Sequence, residues 1–433
     1  MNTARLRRGL AAALLFAGSA SVALLLAEAA LRLLLPSPDG WFVFPPGLRR
    51  EFEPREEIMP GVRGVSRFIV NSQGIRGDEP GAEITHRVLA VGGSTTQCLY
   101  LDQTEAWPGR LQELLNERGG GARVWVGNAG KAGRRLPEYR VQLEHLLPAH
   151  PELGTIVMLV GANDVNRRLN EDEFRPPDLG DPEVREALLD RAFDLRPRSY
   201  ALFPPGRTAV WGLVSRVERA IEIRRHWVMI EDDAGRNYEI WRRRRAEAPR
   251  IRERLPDLGP ALAAYATDLE AVRRLTVEHG VRVVFMTQPS IYRPDLPEDY
   301  ARLLWMGWVG ARQSDPDQEY YSVAALAEAY AAFNRTLLRF CRESGSECLD
   351  LEPLLPKDTR SFYDDIHFNE GGAETVARAL FAYLAARPPF ADSGAEMASE
   401  SSTAWSRART RADSAESPSG TIGRSSHGSS VKW

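Results

Sequence analysis

Cysteine is scarce in this chain. Its 433 residues include three cysteines, Cys98, Cys341 and Cys348, which are too few for a disulfide scaffold and lack the paired spacing of a zinc site. An excess of either charge is also missing, because 56 Lys and Arg residues stand against 59 Asp and Glu residues. This balance gives no basic surplus that would make nucleic acid the expected partner. With 27% charged and 43% hydrophobic residues, the composition also excludes a collagen-like, a wholly disordered and a polytopic membrane protein.

Two of the cysteines, Cys341 and Cys348, lie seven positions apart. Outside the cytoplasm they could form a disulfide that bridges the end of a helix to the following strand. Alternatively, both are small apolar residues of the core. The sequence leaves both interpretations open.

The N-terminal segment has the length and composition of a membrane span. Three arginines among residues 1–8 precede residues 9–27, which carry no charge. At a helical rise of ~1.5 Å per residue this stretch is roughly 28 Å long, close to the ~30 Å hydrocarbon thickness of a bilayer. We therefore expect a transmembrane signal-anchor over residues 9–35, with residues 1–8 in the cytoplasm and the rest of the chain outside it. A cleaved signal peptide is the alternative, because residues 27–29 have the small-x-small pattern of a cleavage site.

The C-terminal segment differs from the rest of the chain in composition. Residues 391–433 are rich in Ser, Gly, Ala and Arg and show no apolar period. Such a sequence cannot bury enough apolar surface to offset its chain entropy. We expect a disordered tail that carries no catalysis.

Between these ends, short apolar runs alternate with longer segments of helical period, which predicts an α/β domain over residues 87–390 with a mostly parallel sheet covered on both faces. In that architecture ligands bind outside the carboxyl ends of the strands. The expected strands are residues 87–91, 123–126, 155–160, 281–286 and 347–351. The expected helices are residues 107–118, 137–147, 260–279, 323–343 and 370–387.

Two stretches depart from this alternation. Residues 41–86 are rich in Pro, Gly and charge and indicate a loop-rich entry segment. Residues 165–258 indicate a helical insertion, in which Trp241 precedes the run Arg242–Arg245. The insertion could cover the active site or contact anionic glycan or lipid headgroups, but a solvated helix face is the more common explanation of such a charge run.

Glycine and polar residues follow the first three expected strands. The first strand leads into Val91–Thr96, where Ser94 comes after two glycines at the start of a helix. Asn128–Gly133 follows the second strand, and Gly161–Asp164 the third. A serine in such a turn can be a nucleophile, and glycine N–H groups and Asn amides are donors that stabilise an oxyanion. Each segment alone could equally be a helix cap or a tight turn.

A serine nucleophile needs a base, and the chain has only seven histidines. His367 alone lies on a loop between the last strand and the last helix, within Tyr363–Gly372. Asp364, three residues earlier, could hold one imidazole nitrogen while the other faces Ser94. An ordinary Asp-rich helix entry is the alternative for this segment taken alone.

Together, these segments resemble the SGNH or GDSL-type serine hydrolases, in the membrane-anchored bacterial form. Gly93 stands at the position of the aspartate in the GDSL motif that gives the family its name. The entry stretch Val70–Gly77, and Glu28 and Arg32 at the end of the anchor, are also similar to single-span members. The matching segments are Gly92–Thr95, Asn128–Gly133, Gly161–Asp164 and Asp364–His367.

The resemblance implies both a fold and a set of roles. The fold is a three-layer, flavodoxin-like sandwich around a five-stranded sheet. The implied nucleophile is Ser94, the general base and acid is His367, and Asp364 orients the histidine. The implied oxyanion hole consists of the Ser94 and Gly133 backbone N–H groups and the Asn163 side chain. The resemblance implies no metal and no cofactor.

Further residues are weaker candidates for the crevice. Gln288 follows the fourth strand and is a possible substrate-lining residue. Trp305 and Trp308 could form a substrate wall, although packing is their more frequent use. An α/β-hydrolase is rejected as the fold, because its Gly-x-Ser-x-Gly elbow would need glycine where Thr96 stands.

We therefore expect a single-pass membrane protein whose catalytic domain lies outside the cytoplasm and cleaves acyl esters through an acyl-enzyme. Its substrate could be an envelope glycan or lipid. Transfer of the acyl group to a glycan hydroxyl, and a binding or assembly protein without turnover, remain as alternatives. The sequence does not indicate the oligomeric state.

Overall fold

The structure, a computed structural model, describes most of the chain. Residues 392–433, which include nearly all of the expected tail, lie outside the described residues, as does part of the expected insertion. The described residues are 3–34, 40–118, 123–171, 173–197, 208–214, 217–218, 221, 235–310 and 317–391.

Nine strands and twelve helices are described. The strands are β1 (Arg49–Phe52), β2 (Ser66–Ile69), β3 (His86–Gly92), β4 (Val124–Asn128), β5 (Leu153–Leu159), β6 (Arg250–Arg252), β7 (Arg282–Met286), β8 (Glu319–Tyr321) and β9 (Glu347–Leu349). The α-helices are α1 (Thr3–Leu34), α2 (Ser94–Gln97), α3 (Trp107–Arg118), α4 (Leu136–Ala149), α5 (Ala162–Asn170), α6 (Pro182–Ala192), α7 (residues 209–214), α8 (Arg236–Ala246), α9 (Gly259–Glu278), α10 (Glu298–Ala301), α11 (Val323–Ser344) and α12 (Glu370–Ala385).

A five-stranded parallel sheet forms the centre of the domain, with strand order β4-β3-β5-β7-β9. Its inner strands are almost fully buried, as expected when helices cover both faces. The chain passes from β3 to β4 on one side and then crosses to β5 on the other side. The carboxyl ends of β3 and β5 therefore border the topological switch point, where ligands bind in open α/β sheets.

Helices cover both faces of this sheet, so the expected α/β sandwich is confirmed. Right-handed crossovers place α3 on the face opposite to α4, α9 and α11. The packing agrees, because α12 contacts α3 while α9 contacts both α4 and α11. Each of the ten elements expected in the sheet and its helical layers is present, with its ends within two residues of the expected positions.

The entry segment and the insertion contain elements that the sequence pattern did not indicate. In the entry segment, β1 and β2 form a small antiparallel sheet. The described part of the insertion is mostly helical, as expected, but it ends in β6, which pairs in parallel with β8. These short strands are polar or half-buried and have little apolar pattern.

Helix α1 contains a 26-residue apolar segment, Gly9–Leu34, with a mean hydropathy of 2.2. Its apolar side chains are exposed along most of its length. A helix of this length and composition is compatible with a membrane anchor or with a signal sequence.

A disulfide joins Cys341 near the end of α11 to Cys348 in β9, with a Cα to Cα distance of 6.1 Å. Of the two interpretations of this pair, the structure thus has the helix-to-strand bridge. Cys98 is a free and buried cysteine.

Candidate active site

Ser94, His367 and Asp364 form one chain of hydrogen bonds. Ser94 is the first residue of α2, directly after β3, and its Oγ lies 2.7 Å from His367 Nε2. His367 Nδ1 lies 2.7 Å from Asp364 Oδ2. Because an ionised carboxylate only accepts, the imidazole proton belongs on Nδ1, and Nε2 is then free to accept from the Ser94 hydroxyl. This is the arrangement that a serine nucleophile and its base require.

Asp364 is fully buried and holds His367 through several contacts. Its Oδ1 accepts from the backbone N–H groups of Ile366 at 3.0 Å and His367 at 2.8 Å. Its Oδ2 also accepts from the Trp305 indole N–H at 2.9 Å. Burial alone would raise the pKa of Asp364, but the His367 charge and these hydrogen bonds outweigh it and lower the pKa below its ordinary value.

The next residue, Asp365, is also fully buried but does not face the imidazole. It accepts from the Tyr292 hydroxyl at 2.7 Å and from the backbone N–H groups of Trp305 and Met306 at 2.9 and 3.2 Å. Burial and the neighbouring Asp364 charge raise its pKa to about 6. Asp365 thus holds the Trp305–Met306 segment against the histidine loop and so positions the Trp305 indole near Asp364.

The far end of this loop is held by the start of α12. Asn369 caps the helix by accepting from the Gly372 N–H at 3.0 Å. Its amide also donates to the Pro60 and Thr359 carbonyls at 3.0 and 2.7 Å. The entry segment therefore helps to position His367, two residues before the cap.

The three expected oxyanion donors lie on turns that follow adjacent strands, with Ser94 after β3, Gly133 after β4 and Asn163 after β5. Gly133 adopts a positive φ of 71°, which glycine tolerates best. Within the described residues, neither the Ser94 nor the Gly133 backbone N–H donates to another group. Asn163 Nδ2 donates one hydrogen to the Arg134 carbonyl at 2.9 Å, which orients the amide.

Gly93 allows the Asn163 amide to lie close to the nucleophile turn. A Cβ at Gly93 would lie 2.6 Å from Asn163 Nδ2 and 3.3 Å from the Tyr139 hydroxyl oxygen. The first distance is shorter than a van der Waals contact, so any side chain at this position would require the Asn163 amide to shift.

Gln288 lies behind the nucleophile turn and is 1% exposed. Its Oε1 accepts from the Thr95 hydroxyl at 3.0 Å, and its Nε2 donates to the Pro289 carbonyl at 2.8 Å. The structure thus gives Gln288 a supporting position under α2, with both ends of its amide engaged. This position differs from the substrate-lining one expected for it.

Aromatic rings enclose the histidine side of the site. Tyr363 stacks on His367 with ring centroids 5.6 Å apart, and Tyr238 packs edge-on against Tyr363 at 5.8 Å. Trp305 packs at a tilt against Trp241 with ring centroids 4.7 Å apart, and Trp308 stacks on Trp305 at 6.0 Å. Tyr238 and Trp241 belong to α8, so the expected insertion packs directly against the histidine loop.

Two arginines of the charged run hold α8 in this position. Arg242 donates to the backbone carbonyls of Ile58, Leu303 and Tyr363 at 2.6, 3.0 and 2.7 Å. Arg245 donates to the carbonyls of Met306 and Tyr321. The solvated-face interpretation thus holds for the exposed Arg243 and Arg244 only. Arg242 and Arg245 are three positions apart and face inward together.

Asp164, beside Asn163, has a buried carboxyl group with few hydrogen bonds to offset its loss of hydration. Its Oδ1 accepts from the Leu136 N–H at 3.3 Å, and its Oδ2 has no hydrogen-bond partner within the described structure. Burial raises the pKa of Asp164 to about 8. The carboxyl group is therefore largely protonated at pH 7.

Within the described ranges, no group of three or more His, Cys, Asp or Glu side chains is placed to hold a metal ion.

Residues 90–375 match the model of the GDSL-like Lipase/Acylhydrolase family. No curated protein matches the chain. Similar solved structures include an acetylxylan esterase from Geobacillus stearothermophilus, with 13% identity and a TM-score of 0.36 over 69% of this chain and 93% of that chain. An alpha/beta hydrolase enzyme from the metagenome of Lake Arreo, Spain, has 12% identity and a TM-score of 0.37 over 69% and 94%. A psychrotrophic esterase from Pseudoalteromonas sp. has 11% identity and a TM-score of 0.33 over 68% of this chain and 94% of that chain.

Proposed function

The chain belongs to the GDSL-like lipase/acylhydrolase family of ester-cleaving hydrolases, and on that premise we propose that Ser94, His367 and Asp364 are its catalytic triad. The observation that carries the proposal is the pair of 2.7 Å hydrogen bonds that link the three side chains. A binding protein without turnover would have no need of this alignment. The reaction is the cleavage of a carboxylic ester through an acyl-enzyme.

In the first half-reaction, His367 Nε2 takes the hydroxyl proton as Ser94 Oγ attacks the ester carbonyl carbon. The carbonyl oxygen becomes an oxyanion, and the Ser94 and Gly133 N–H groups and the second hydrogen of Asn163 Nδ2 donate to it. Asp364 stabilises the imidazolium that forms. His367 then returns the proton to the leaving alkoxide, and the acyl group stays on Ser94.

In the second half-reaction, His367 deprotonates an incoming hydroxyl, which attacks the acyl-enzyme. Water as acceptor releases a carboxylic acid and makes the protein an esterase. A glycan hydroxyl would make it an O-acyltransferase. Incubation with p-nitrophenyl acetate and a soluble oligosaccharide separates the two, because only transfer gives an acetylated sugar detectable by mass spectrometry.

We place the catalytic domain outside the cytoplasm, tethered by α1 and acting on acyl esters of envelope glycans or lipids. Arginines precede the apolar span and favour this orientation. The Cys341–Cys348 bridge also supports it, because such bonds persist mainly in oxidising compartments.

Thiol counting in cells tests this location. Cells are quenched in acid, denatured and alkylated without reductant. An oxidised Cys341–Cys348 pair leaves one alkylated cysteine, Cys98, whereas prior reduction gives three. Three alkylated cysteines without reductant would place the domain in a reducing compartment. A reporter fused after α12 should likewise be active only outside the cytoplasm.

Hydrolysis of short-chain p-nitrophenyl esters tests the catalytic role. The Ser94→Ala variant should lose about 10⁴-fold or more in kcat, as triad serines do. The same substitution at the exposed Ser72 should leave the rate unchanged and serves as the matched control. Equal rates for the two variants would remove Ser94 from the mechanism.

A further inference from the structure

The peptide unit that joins Ala132 to Gly133 carries one of the proposed oxyanion donors, the Gly133 N–H. This peptide is trans, so its C=O and N–H lie in one plane and point in opposite directions. Whatever holds the Ala132 oxygen therefore also sets the direction of the Gly133 N–H. Gly133 is exposed, and a Cβ on it would meet no atom within 4 Å, so packing around Gly133 does not hold the peptide. Arg134 does, because its Nη1 donates to the Ala132 carbonyl at 3.3 Å.

Arg134 also acts on a second oxyanion donor, the Asn163 amide. Its carbonyl accepts from Asn163 Nδ2 at 2.9 Å and from the Tyr139 hydroxyl. The bond from Asn163 uses one amide hydrogen and leaves the other for the substrate oxygen. Arg134 thus contacts the groups that carry two of the three donors, one through its side chain and one through its carbonyl.

The last turn of α6, in the expected insertion, supports Arg134 and the Gly133 turn. The Arg191 carbonyl accepts from Arg134 Nε. This carbonyl is one of the last four of α6, which have no partner within the helix, and a cation there also complements the helix dipole. In return, Arg191 Nη2 donates to the Gly133 carbonyl at 3.2 Å.

A buried carboxylate directs Arg191 toward this turn. Glu138 is in the first turn of α4 and is 1% exposed, and its Oε1 lies 3.1 Å from Arg191 Nε. Glu138 also accepts from the Arg135 backbone N–H and side chain at 3.2 and 2.9 Å, which fixes the carboxylate. Arg191 is therefore held at both ends of its guanidinium group, by Glu138 and by Gly133.

We infer that Arg134 and Arg191 are positioning residues of the oxyanion hole, and that α6 of the insertion takes part in catalysis through them. Arg134 sets the directions of the Gly133 N–H and the Asn163 amide. Its charge on the Ala132 oxygen also polarises the peptide and makes the Gly133 N–H a stronger donor. Donors that are already oriented stabilise the transition state more, because they need not reorient as the negative charge develops. The inference rests on the proposed function, because it concerns the oxyanion of the Ser94 reaction.

The test uses the full-length protein in detergent with p-nitrophenyl acetate as substrate. The quantities measured are kcat, KM and the inhibition constant of trifluoroacetone, whose adduct with a nucleophilic serine carries an oxyanion. Arg134→Met and Arg191→Met remove the donors but keep most of the side-chain length. Arg185→Met is the matched control, because Arg185 lies on the same helix and pairs at 2.6 Å with Glu144 of α4 instead of with the Gly133 turn. Rates are expressed per serine that a fluorophosphonate labels at completion, so that unfolded protein is not counted.

We expect kcat to fall about ten- to hundredfold in Arg134→Met and about three- to tenfold in Arg191→Met, because a loosened donor costs less than one that is removed outright. KM should stay within about twofold, since ground-state binding does not use the oxyanion donors. The inhibition constant of trifluoroacetone should rise by the factor by which kcat/KM falls, because the adduct resembles the transition state. Arg185→Met should keep the native values.

Three results would overturn the inference. The first is native kcat in both Arg134→Met and Arg191→Met. The second is a lower kcat with an unchanged inhibition constant, because the arginines would then act outside the oxyanion hole. The third is an equal loss in Arg185→Met and Arg191→Met, because general loosening of α6 would then be the cause. Ester hydrolysis by Ser94→Ala at the native rate would instead overturn the proposed function.

Arg134→Lys separates orientation from charge. Lysine keeps the positive charge, but its ammonium group lacks the planar fork that donates to the Ala132 and Arg191 carbonyls together. We expect kcat of this variant to stay below the native value, and full native activity would overturn the positioning role of Arg134. If Arg134→Met yields no folded protein, Arg191→Met decides the inference, because the Arg191 side chain is 47% exposed and its loss leaves no large cavity.

Discussion

At the scale of single residues, the site depends on a few close approaches. The Asn163 amide lies so close to the nucleophile turn that a Cβ at Gly93 would displace it. The Asp364 carboxylate keeps its charge in a fully buried position because His367, the Trp305 indole and two backbone amides face it. The Gly93–Asn163 and Trp305–Asp364 contacts join residues that are 59 or more positions apart, and no local sequence pattern encodes them.

The role of Gly93 predicts a loss of transition-state stabilisation on adding one methyl group. In Gly93→Ala the new Cβ forces Asn163 Nδ2 away and weakens one oxyanion donor, so kcat should fall about 10²-fold or more with little change in KM. Gly154→Ala is the control, because a Cβ there meets no atom within 4 Å. If both variants have the native kcat in ester hydrolysis assays, the close approach has no catalytic importance.

Trp305 is a positioning residue that acts through Asp364. Trp305→Phe removes the indole N–H from the carboxylate, a hydrogen bond of ~1.5 kcal/mol, and kcat should fall about tenfold. The acidic limb of the kcat profile should move to higher pH, because the Trp305 hydrogen bond lowers the pKa of Asp364 and its loss raises that pKa. Trp241→Phe keeps an aromatic ring against Trp305 without changing a partner of Asp364 and should leave the limb in place. If the acidic limb of the kcat profile does not move in Trp305→Phe, then Trp305 only packs against its neighbours and does not position Asp364.

Asp164 predicts a dependence of stability on pH. Its pKa is about 8 in the folded protein and ~3.9 in an unfolded chain, so between pH 4 and 8 the folded protein keeps a proton that the unfolded chain releases. The free energy of unfolding therefore decreases as pH rises through this window, by at most about 1.4 kcal/mol per pH unit, and is flat above it.

The variant Asp164→Asn has no such proton. Urea unfolding of both proteins at pH 5, 6, 7 and 8 should show the variant gaining stability relative to the native protein with each step. A difference that stays constant over these pH values would mean that Asp164 is ionised throughout.

At the scale of elements, the sequence predicts the strands and helices that have a clear apolar pattern, but it does not predict the short strands. The sheet and its covering helices follow from apolar runs that must be buried on both faces. The pairs β1 with β2 and β6 with β8 have three or four residues per strand, too few for an apolar period, so tertiary contacts determine them. In the run Arg242–Arg245, the sequence does not show which arginines face the protein and which face solvent. The packing of α8 against the rest of the domain decides this.

Arg242 predicts that the insertion and the histidine loop are coupled. Arg242→Met leaves the Ile58, Leu303 and Tyr363 carbonyls without this donor, and we expect a loss of about 2–4 kcal/mol in the free energy of unfolding. Because Tyr363 precedes Asp364, kcat should fall as well. Arg243→Met changes the adjacent, exposed arginine in the same way and should leave both quantities near native values. Equal unfolding free energies for the two variants would contradict the coupling.

At the scale of the whole molecule, the sequence predicts one catalytic domain after an apolar helix, and most of the candidate site with it. Ser94, Gly133 and Asn163 each stand in a short motif after a strand, and the parallel sheet brings these strand ends together. Asp364 and His367 stand in a motif on the loop between the last strand and α12. The supporting residues Trp305 and Arg242 stand in no motif. The sequence predicts Gln288 at the end of the fourth strand of the sheet, as found. It does not predict that the side chain is buried, because burial depends on the hydrogen bond from the Thr95 hydroxyl.

The most direct measurement of the central claim is the site of covalent modification by a fluorophosphonate, which reacts with a serine activated by a base and an oxyanion hole. We predict that mass spectrometry of the labelled, full-length protein finds one phosphonyl group, on the peptide containing Ser94, and that His367→Ala abolishes it although Ser94 is retained. Labelling of another residue, or equal labelling of Ser94 in His367→Ala, would contradict the assignment of Ser94 and His367 as nucleophile and base.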